Sequence, residues 1–397
     1  MNLDVSRGNC PCSVRQAREL DDGCDRADVS CPSGLFAEVR VPTPRPAQAP
    51  VRFDPADLTE LYGGTLEDVF LLVASPAIRE SLSLSNSTGV TIEELAWHGP
   101  QSRAALVDAL AEHHRSGRGV AVLWIADDEF EHFLDEQLVN ARMAAISFFS
   151  TGFTASRLEN YLRVLRAADY RGELRRESAL LKILDQARKL EFHTPAFGTS
   201  AVFEHQRALH WFSLNGGLSR GQQTVLPTGE LSALTDASGR FSMGNPFKLN
   251  GELVFYGAPI VHRGSRLVSV EETTQAYQAF APMRRHPAIV RVEDGLITSV
   301  RAPSSALGND FTRALETLFA SDERYRKVHE IGFGTNTACV TLEPENFFPN
   351  ERWPGVHFGL GLGGHTPFHI DLTCSSVELR AHTGAGPIDV FRSLGLR

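Results

Sequence analysis

The stretch Gly355-Val356-His357-Phe358-Gly359-Leu360-Gly361-Leu362-Gly363-Gly364-His365-Thr366-Pro367-Phe368-His369-Ile370-Asp371-Leu372 decides how the chain is read. Its glycines satisfy G-x-G-x-x-G from Gly359 to Gly364, but a dinucleotide loop needs a helix after it and an acid about twenty residues on. Thr366-Pro367 and another apolar run follow instead, so the nucleotide reading is rejected. The glycines serve to let backbone approach a pocket. The two flanks read as short strands. His369 and Asp371 are one residue apart, so on a strand both side chains leave the same face, as in an H-x-D pair that grips a metal ion. His357 lies in a similar strand a glycine-rich turn away, and a hairpin would bring all three together. Two histidines and one carboxylate form the facial triad of non-haem iron enzymes and also suit zinc.

Two further groups of ligand-type residues lie upstream. Leu226-Pro227-Thr228-Gly229-Glu230 is a turn that presents a carboxylate, and His329-Glu330-Ile331-Gly332-Phe333-Gly334-Thr335-Asn336 carries a second. Asp371 with two neutral histidines supplies one negative charge, which a single divalent ion exceeds. If Glu230 and Glu330 also point into the site, two ions are the more natural complement, because buried carboxylates without counter-charge are costly. Cys339 and Cys374 sit in β-like stretches beside these motifs and read as small buried hydrophobes rather than nucleophiles. His113-His114, beside Glu112, reads as structural.

The rest of the chain has two textures. Residues 54–74 show helical spacing opened by Asp54-Pro55, and 119–126 (GVAVLWIA) reads as a buried parallel strand. Phe130, Phe133, Leu134, Leu138 and Met143 predict a helix over 127–145, and 157–190 is a second helical region. Strands alternating with helices imply a helix-covered sheet. Beyond about residue 200, short strands and turns take over: Asn250-Gly251 and Asp294-Gly295 are hairpin signals, and a helix is expected at about 309–320. The fold class is therefore α/β: a flexible Cys/Pro-rich extension over 1–50, an α/β domain over 51–205, and an α+β metal-binding domain over 206–397. Cys10, Cys12, Cys24 and Cys31 lack the C-x-x-C spacing of zinc ligands, so they read as incidental, with a zinc or redox role as the alternative.

Composition sets the outer limits. At 397 residues the chain is long enough for two domains, and 39 basic against 48 acidic residues leave a net charge of −9. That balance argues against nucleic acid. No run approaches the roughly 18 apolar residues of a membrane span, no apolar signal segment opens the chain, and cysteines are sparse. A cytoplasmic protein without membrane contact is expected, and Asn86-Ser87-Thr88 is not read as a glycosylation site.

Pro227-Thr228-Gly229-Glu230, Glu330 to Asn336, Pro354-Gly355-Val356-His357 and His369-Ile370-Asp371, in this order, resemble the M29 family of metal-dependent aminopeptidases (the thermophilic aminopeptidase type). The resemblance covers roughly 200–395. It implies that Glu230, Glu330, His357, His369 and Asp371 hold two divalent metal ions, zinc, cobalt or similar, and that a metal-activated water attacks a peptide carbonyl. It also implies a homodimer. The family's insertion between the last two motifs, with its tyrosine, is missing, since eleven residues separate His357 from His369 and none is tyrosine. His365 in that shortened loop is the candidate acid–base group. The expected function is a metal-dependent hydrolase acting on a peptide or peptide-derived natural product. The resemblance extends to 2,5-dihydroxypyridine dioxygenases, which implies one Fe(II) as the alternative cofactor. A third reading is a catalytically specialised or silent relative that binds a precursor peptide for partner enzymes.

Overall fold

The structure is a computed structural model that describes residues 5–7, 49–205, 209–235, 243, 247–303 and 310–396. The cysteine cluster from Cys10 to Cys31 and the prolines Pro42, Pro44 and Pro46 lie outside the described residues. The described chain is mixed α/β. Among the described residues no helix is long and apolar enough to cross a membrane.

A five-stranded parallel sheet has the order Gln223–Val225, Ala141–Ser147, Val120–Ala126, Val69–Ala74, Thr91–Ala96. Val69–Ala74 and Val120–Ala126 are buried throughout, as continuous apolar runs covered on both faces must be. On one face Leu106 and Leu110 of the helix Arg103–Arg115 pack with Trp97 and Trp124. On the other, Leu158, Tyr161, Leu162 and Leu165 of the helix Ala155–Ala167 cover Leu72, Leu123 and Ile146.

Three local expectations are corrected here. Residues 127–145 hold no α-helix, only a short 3-10 turn at Asp135–Gln137 and then the strand Ala141–Ser147. Phe130, Phe133, Leu138 and Met143 do bury together with Trp124, so the apolar spacing is real. It arises from an irregular segment laid over the sheet, and pairing on both edges of Ala141–Ser147 outweighs helix propensity. Over 54–74, Asp54 caps as expected, accepting from Ala56 N–H at 3.0 Å, but the helix is only the 3-10 segment Pro55–Leu58. The chain then turns at Gly63 and Gly64 (φ 72° and 94°) and enters the buried strand Val69–Ala74. The region 157–190 is two helices, Ala155–Ala167 and Tyr170–Gln186, separated where Asp169 caps the second, and it ends in the strand Ala187–Thr194.

Two antiparallel sheets make up the remainder. One has the order Leu296–Arg301, Ala288–Glu293, Leu249–Phe255, Thr199–Glu204, Ala187–Thr194, Glu378–Thr383, Gly386–Asp389. Asp294-Gly295 forms the expected hairpin, with both residues at positive φ (46° and 77°). Asn250-Gly251 does not turn, for it lies inside Leu249–Phe255. A Cβ at Gly251 would stand 2.4 Å from the Ser200 carbonyl oxygen, so glycine there admits the neighbouring strand. The helix near 309–320 is Asp310–Ser321.

The central sheet has the order Val5–Arg7, Trp211–Leu214, Glu230–Leu234, Val328–Gly334, Gly355–Leu360, Phe368–Thr373, Pro259–Arg263, antiparallel after its first pair. Leu231, Phe333, Phe358, Ile370 and Leu372 face the other antiparallel sheet, where Phe358 meets Phe192 with ring centroids 5.1 Å apart. Because side chains alternate along a strand, Glu230, Glu330, His357, His369 and Asp371 face the opposite way. There a cavity of about 170 Å³ separates them from the loops that follow the parallel strands Val120–Ala126 and Ala141–Ser147.

Candidate metal centre

Local sequence places each ligand-type group. Glu230 opens its strand after Gly229, whose φ of 97° and close approach to Asn336 (2.7 Å from a Cβ position) require glycine. Asn336 Nδ2 donates to the Thr228 carbonyl at 2.8 Å, and Thr228 Oγ1 donates to Glu173 at 2.6 Å from beneath the turn. Two other glycines clear the sheet face. A Cβ at Gly332 would lie 1.9 Å from His357 Nε2, and one at Gly359 would lie 2.7 Å from Glu330 Cβ and 2.9 Å from Asp371 Oδ1. His357 therefore leans over Gly332, and Glu330 and Asp371 over Gly359, each glycine being on a neighbouring strand.

All five residues singled out in the sequence meet here, joined by three others: His262, Glu351 and Arg352. Together they close a ring in which acids and bases alternate. His357 Nε2 lies 3.3 Å from Glu230 and 3.9 Å from Glu330. His369 Nε2 lies 3.2 Å from Glu330 and 3.1 Å from Asp371. His262 Nε2 is 4.0 Å from Asp371 and contacts Glu351 directly. Arg352 then bonds both Glu351 and Glu230, which completes the circle. Seven members are buried and His262 is partly so.

The charges follow from this geometry. Burial pushes the Glu230 carboxyl up, with Arg352 and His357 opposing. Burial would raise Glu330 too, but the imidazoles of His357 and His369 hold it well below the usual carboxylate range. Arg352 and His262 overcome burial at Glu351 and bring it down to about 2. Burial disfavours imidazolium at His357 and His369, yet their flanking carboxylates raise both well above an ordinary histidine. Without an ion, the two imidazoliums and Arg352 thus offset most of the four carboxylates.

Three trios offer one ligand atom each within 4.8 Å of one another: Glu230–Glu330–His357, Glu330–His369–Asp371 and His262–Glu351–Asp371. Two ligand atoms about 2.1 Å from a tetrahedral ion stand about 3.4 Å apart, close to the 3.1–3.3 Å spacings at His357 and His369. His357 Nε2 and Asp371 Oδ1 are buried and, although 3.3 Å from Glu230 and 3.1 Å from His369, make no well-aligned hydrogen bond, an arrangement that a cation would satisfy. His369 Nδ1 lies 2.9 Å from the Gly361 carbonyl oxygen, which makes it the donor there and leaves Nε2 free to ligate. The residues therefore fit a divalent ion. His357 and His369 fall in different trios, so no trio among the described residues has the two histidines of an iron facial triad.

His365 sits elsewhere. It is half-buried in the turn after Leu362, its N–H donating to Leu362 O at 3.0 Å and its carbonyl accepting from Arg324 at 2.6 Å. No trio among the described residues includes it. Cys339 and Cys374 are buried free thiols whose pKa burial pushes up. His113 is buried on its helix and pairs with Glu93 at 3.1 Å. Sequence reasoning missed His262, Glu351 and Arg352. His262 lies 107 positions from His369, its cross-strand neighbour, and no motif marks it. Glu351-Arg352 did carry a signal: a charged pair inside the aromatic- and proline-rich Phe347-Phe348-Pro349-Asn350-Glu351-Arg352-Trp353-Pro354, directly before the His357 strand.

Comparison with known proteins adds the following. The chain is similar in structure to 2,5-dihydroxypyridine dioxygenase from Pseudomonas putida KT2440, at 15% identity and TM-score 0.47, over 82% of this chain and 93% of that one. It is similar to wild-type AmpT from Thermus thermophilus at 14% identity and TM-score 0.41, over 84% and 95%. No curated protein matches it. Residues 112–382 match the family model of the crocagin biosynthetic protein CgnE/B, and this chain belongs to that family.

Proposed function

We propose that this protein is a metal-dependent hydrolase that acts on a peptide or peptide-derived intermediate in natural-product biosynthesis. The observation that carries the reading is the pair of buried atoms without a well-aligned hydrogen bond, His357 Nε2 and Asp371 Oδ1, inside a ring of ligand-type residues. Glu230, Glu330 and His357 would hold one divalent ion, and Glu330, His369 and Asp371 the other. When bound, such ions supply Lewis acidity and a hydroxide nucleophile. The chain's own residues do the rest. Gly361 orients His369, and Asn336 and Thr228 fix the turn that presents Glu230. Phe130, Phe149, Phe212 and Phe348 line the cavity, where they exclude water and offer an apolar side chain a seat. The family's name supports placement in a biosynthetic sequence.

The test is metal analysis by mass spectrometry on the purified protein, followed by peptide hydrolysis assays. Close to two divalent ions per chain, with ion content and hydrolysis both falling in His369→Ala, is the expected result. Protein that takes up no ion at saturating zinc or cobalt would overturn it. A second reading is favoured by the ring's ability to compensate its own charge: a specialised relative that binds a precursor peptide for partner enzymes. It requires that peptide binding survive replacement of all five ligand residues.

A further inference from the structure

Arg352 is the one member of the ring that cannot become a ligand. A guanidinium carries five N–H donors and no lone pair, and it keeps its charge at every accessible pH. Its side chain is almost fully buried, its Nε donates to the Pro227 carbonyl at 3.0 Å, and its Nη1 bonds Glu230 Oε2 and Glu351 Oε2. Of the two trios assigned to ions, only Glu230–Glu330–His357 contains a carboxylate bonded to this cation. That trio also has the longer spacing, 3.9 Å between His357 and Glu330, whereas the His369 trio has 3.1 and 3.2 Å. His369 is in addition fixed from behind by Gly361.

We infer that Arg352 is a resident cation that makes the two ion positions unequal: the Glu330–His369–Asp371 ion is held tightly, and the Glu230–Glu330–His357 ion loosely and exchangeably. This rests on the metal-centre reading. Four carboxylates against one guanidinium leave the ring at a net −3 with neutral imidazoles. The first divalent ion brings it to −1, and the second to +1. The second ion therefore enters a ring already close to neutral, beside a positive charge it cannot displace. Removing the guanidinium brings the two-ion state to zero and frees Glu230 Oε2. The His262–Glu351–Asp371 trio stays closed, because Glu351 spends one oxygen on His262 and the other on Arg352.

The experiment is a calorimetric titration of chelator-stripped, full-length protein with Co²⁺, with bound ions counted by mass spectrometry and the cobalt absorption bands followed at each equivalent. The wild type is expected to show a tight step and a weaker one. His369→Ala loses the tight step, and His357→Ala loses the weak one. Arg352→Gln tightens the weak step by about tenfold or more and leaves the tight one in place. Two equal steps in the wild type, loss of the tight step in His357→Ala, or an unchanged weak step in folded Arg352→Gln would each overturn the inference. If Arg352→Gln does not fold by circular dichroism, the two histidine variants decide. A wild type that binds no cobalt overturns the metal-centre reading itself, an outcome distinct from two ions of equal affinity.

Discussion

The parallel sheet and the central antiparallel sheet bury their strands by different physics. Val69–Ala74 and Val120–Ala126 are apolar on both faces and are held by area, each side chain contributing independently. The central sheet has one such face, with Phe358 against Phe192, and another face that carries three carboxylates and three imidazoles, closed by Glu351 and Arg352 from the helix Phe347–Arg352. On that second face nothing is stable alone, for each charged group is tolerated only because its two neighbours compensate it. An area-based core loses stability in proportion to what is removed, whereas a compensated ring loses it according to which partner is left unpaired.

Four changes separate these behaviours, from the largest expected effect to the smallest. Trp124→Ala, in the parallel sheet, should cost about 3–5 kcal/mol in a urea melt while leaving ion binding per folded chain intact. Glu330→Ala, in the ring, should cost a comparable or slightly smaller amount, up to about 3–5 kcal/mol, and abolish ion uptake as well. The response to zinc divides the two: at a hundredfold excess over Kd the wild type and Trp124→Ala gain about 2.7 kcal/mol for each site filled, and Glu330→Ala gains nothing. Gly359→Ala should follow at about 1–3 kcal/mol, since the new methyl meets Glu330 Cβ at 2.7 Å and Asp371 at 2.9 Å.

The smallest effect, taken per pH unit, appears on the opposite wall of the cavity, at His132. Burial lowers its pKa from 6.5 to about 4. The folded state therefore binds this proton less readily than the unfolded one. Stability attributable to His132 is full above about pH 6.5 and declines as pH falls toward 4, by up to about 1.4 kcal/mol per pH unit. His132→Gln should flatten that part of the stability profile. An unchanged slope would show that the histidine is solvated and that this wall belongs with the surface.

How much of this was legible in the residues follows the same division. Ligand-type residues one apart on a strand, His369 and Asp371, declare their shared face through the two-residue period, and glycines at Gly332 and Gly359 sit where imidazole and carboxylate need room. Glu230, Glu330 and His357 were recognisable because each stands in a short motif. His262 was not, since its role depends on cross-strand placement opposite His369, and the charged pair Glu351-Arg352 did not show that it folds against His262 and Glu230. The false helix over 127–145 has the complementary cause. Phe130, Phe133 and Leu138 are spaced like one face of a helix, but the partner they cover is a sheet surface that local spacing does not reveal.

An even-membered ring of alternating charge also constrains how such a sequence can drift. Replacing any one of Glu230, His357, Glu330, His369, Asp371, His262, Glu351 or Arg352 by a neutral residue leaves two like-charged neighbours facing each other across the gap. Losing or gaining an adjacent acid and base together preserves the alternation. Descent within the family should therefore move through paired substitutions, with Glu351 and Arg352, contiguous in the chain, the pair most readily lost or gained in one step.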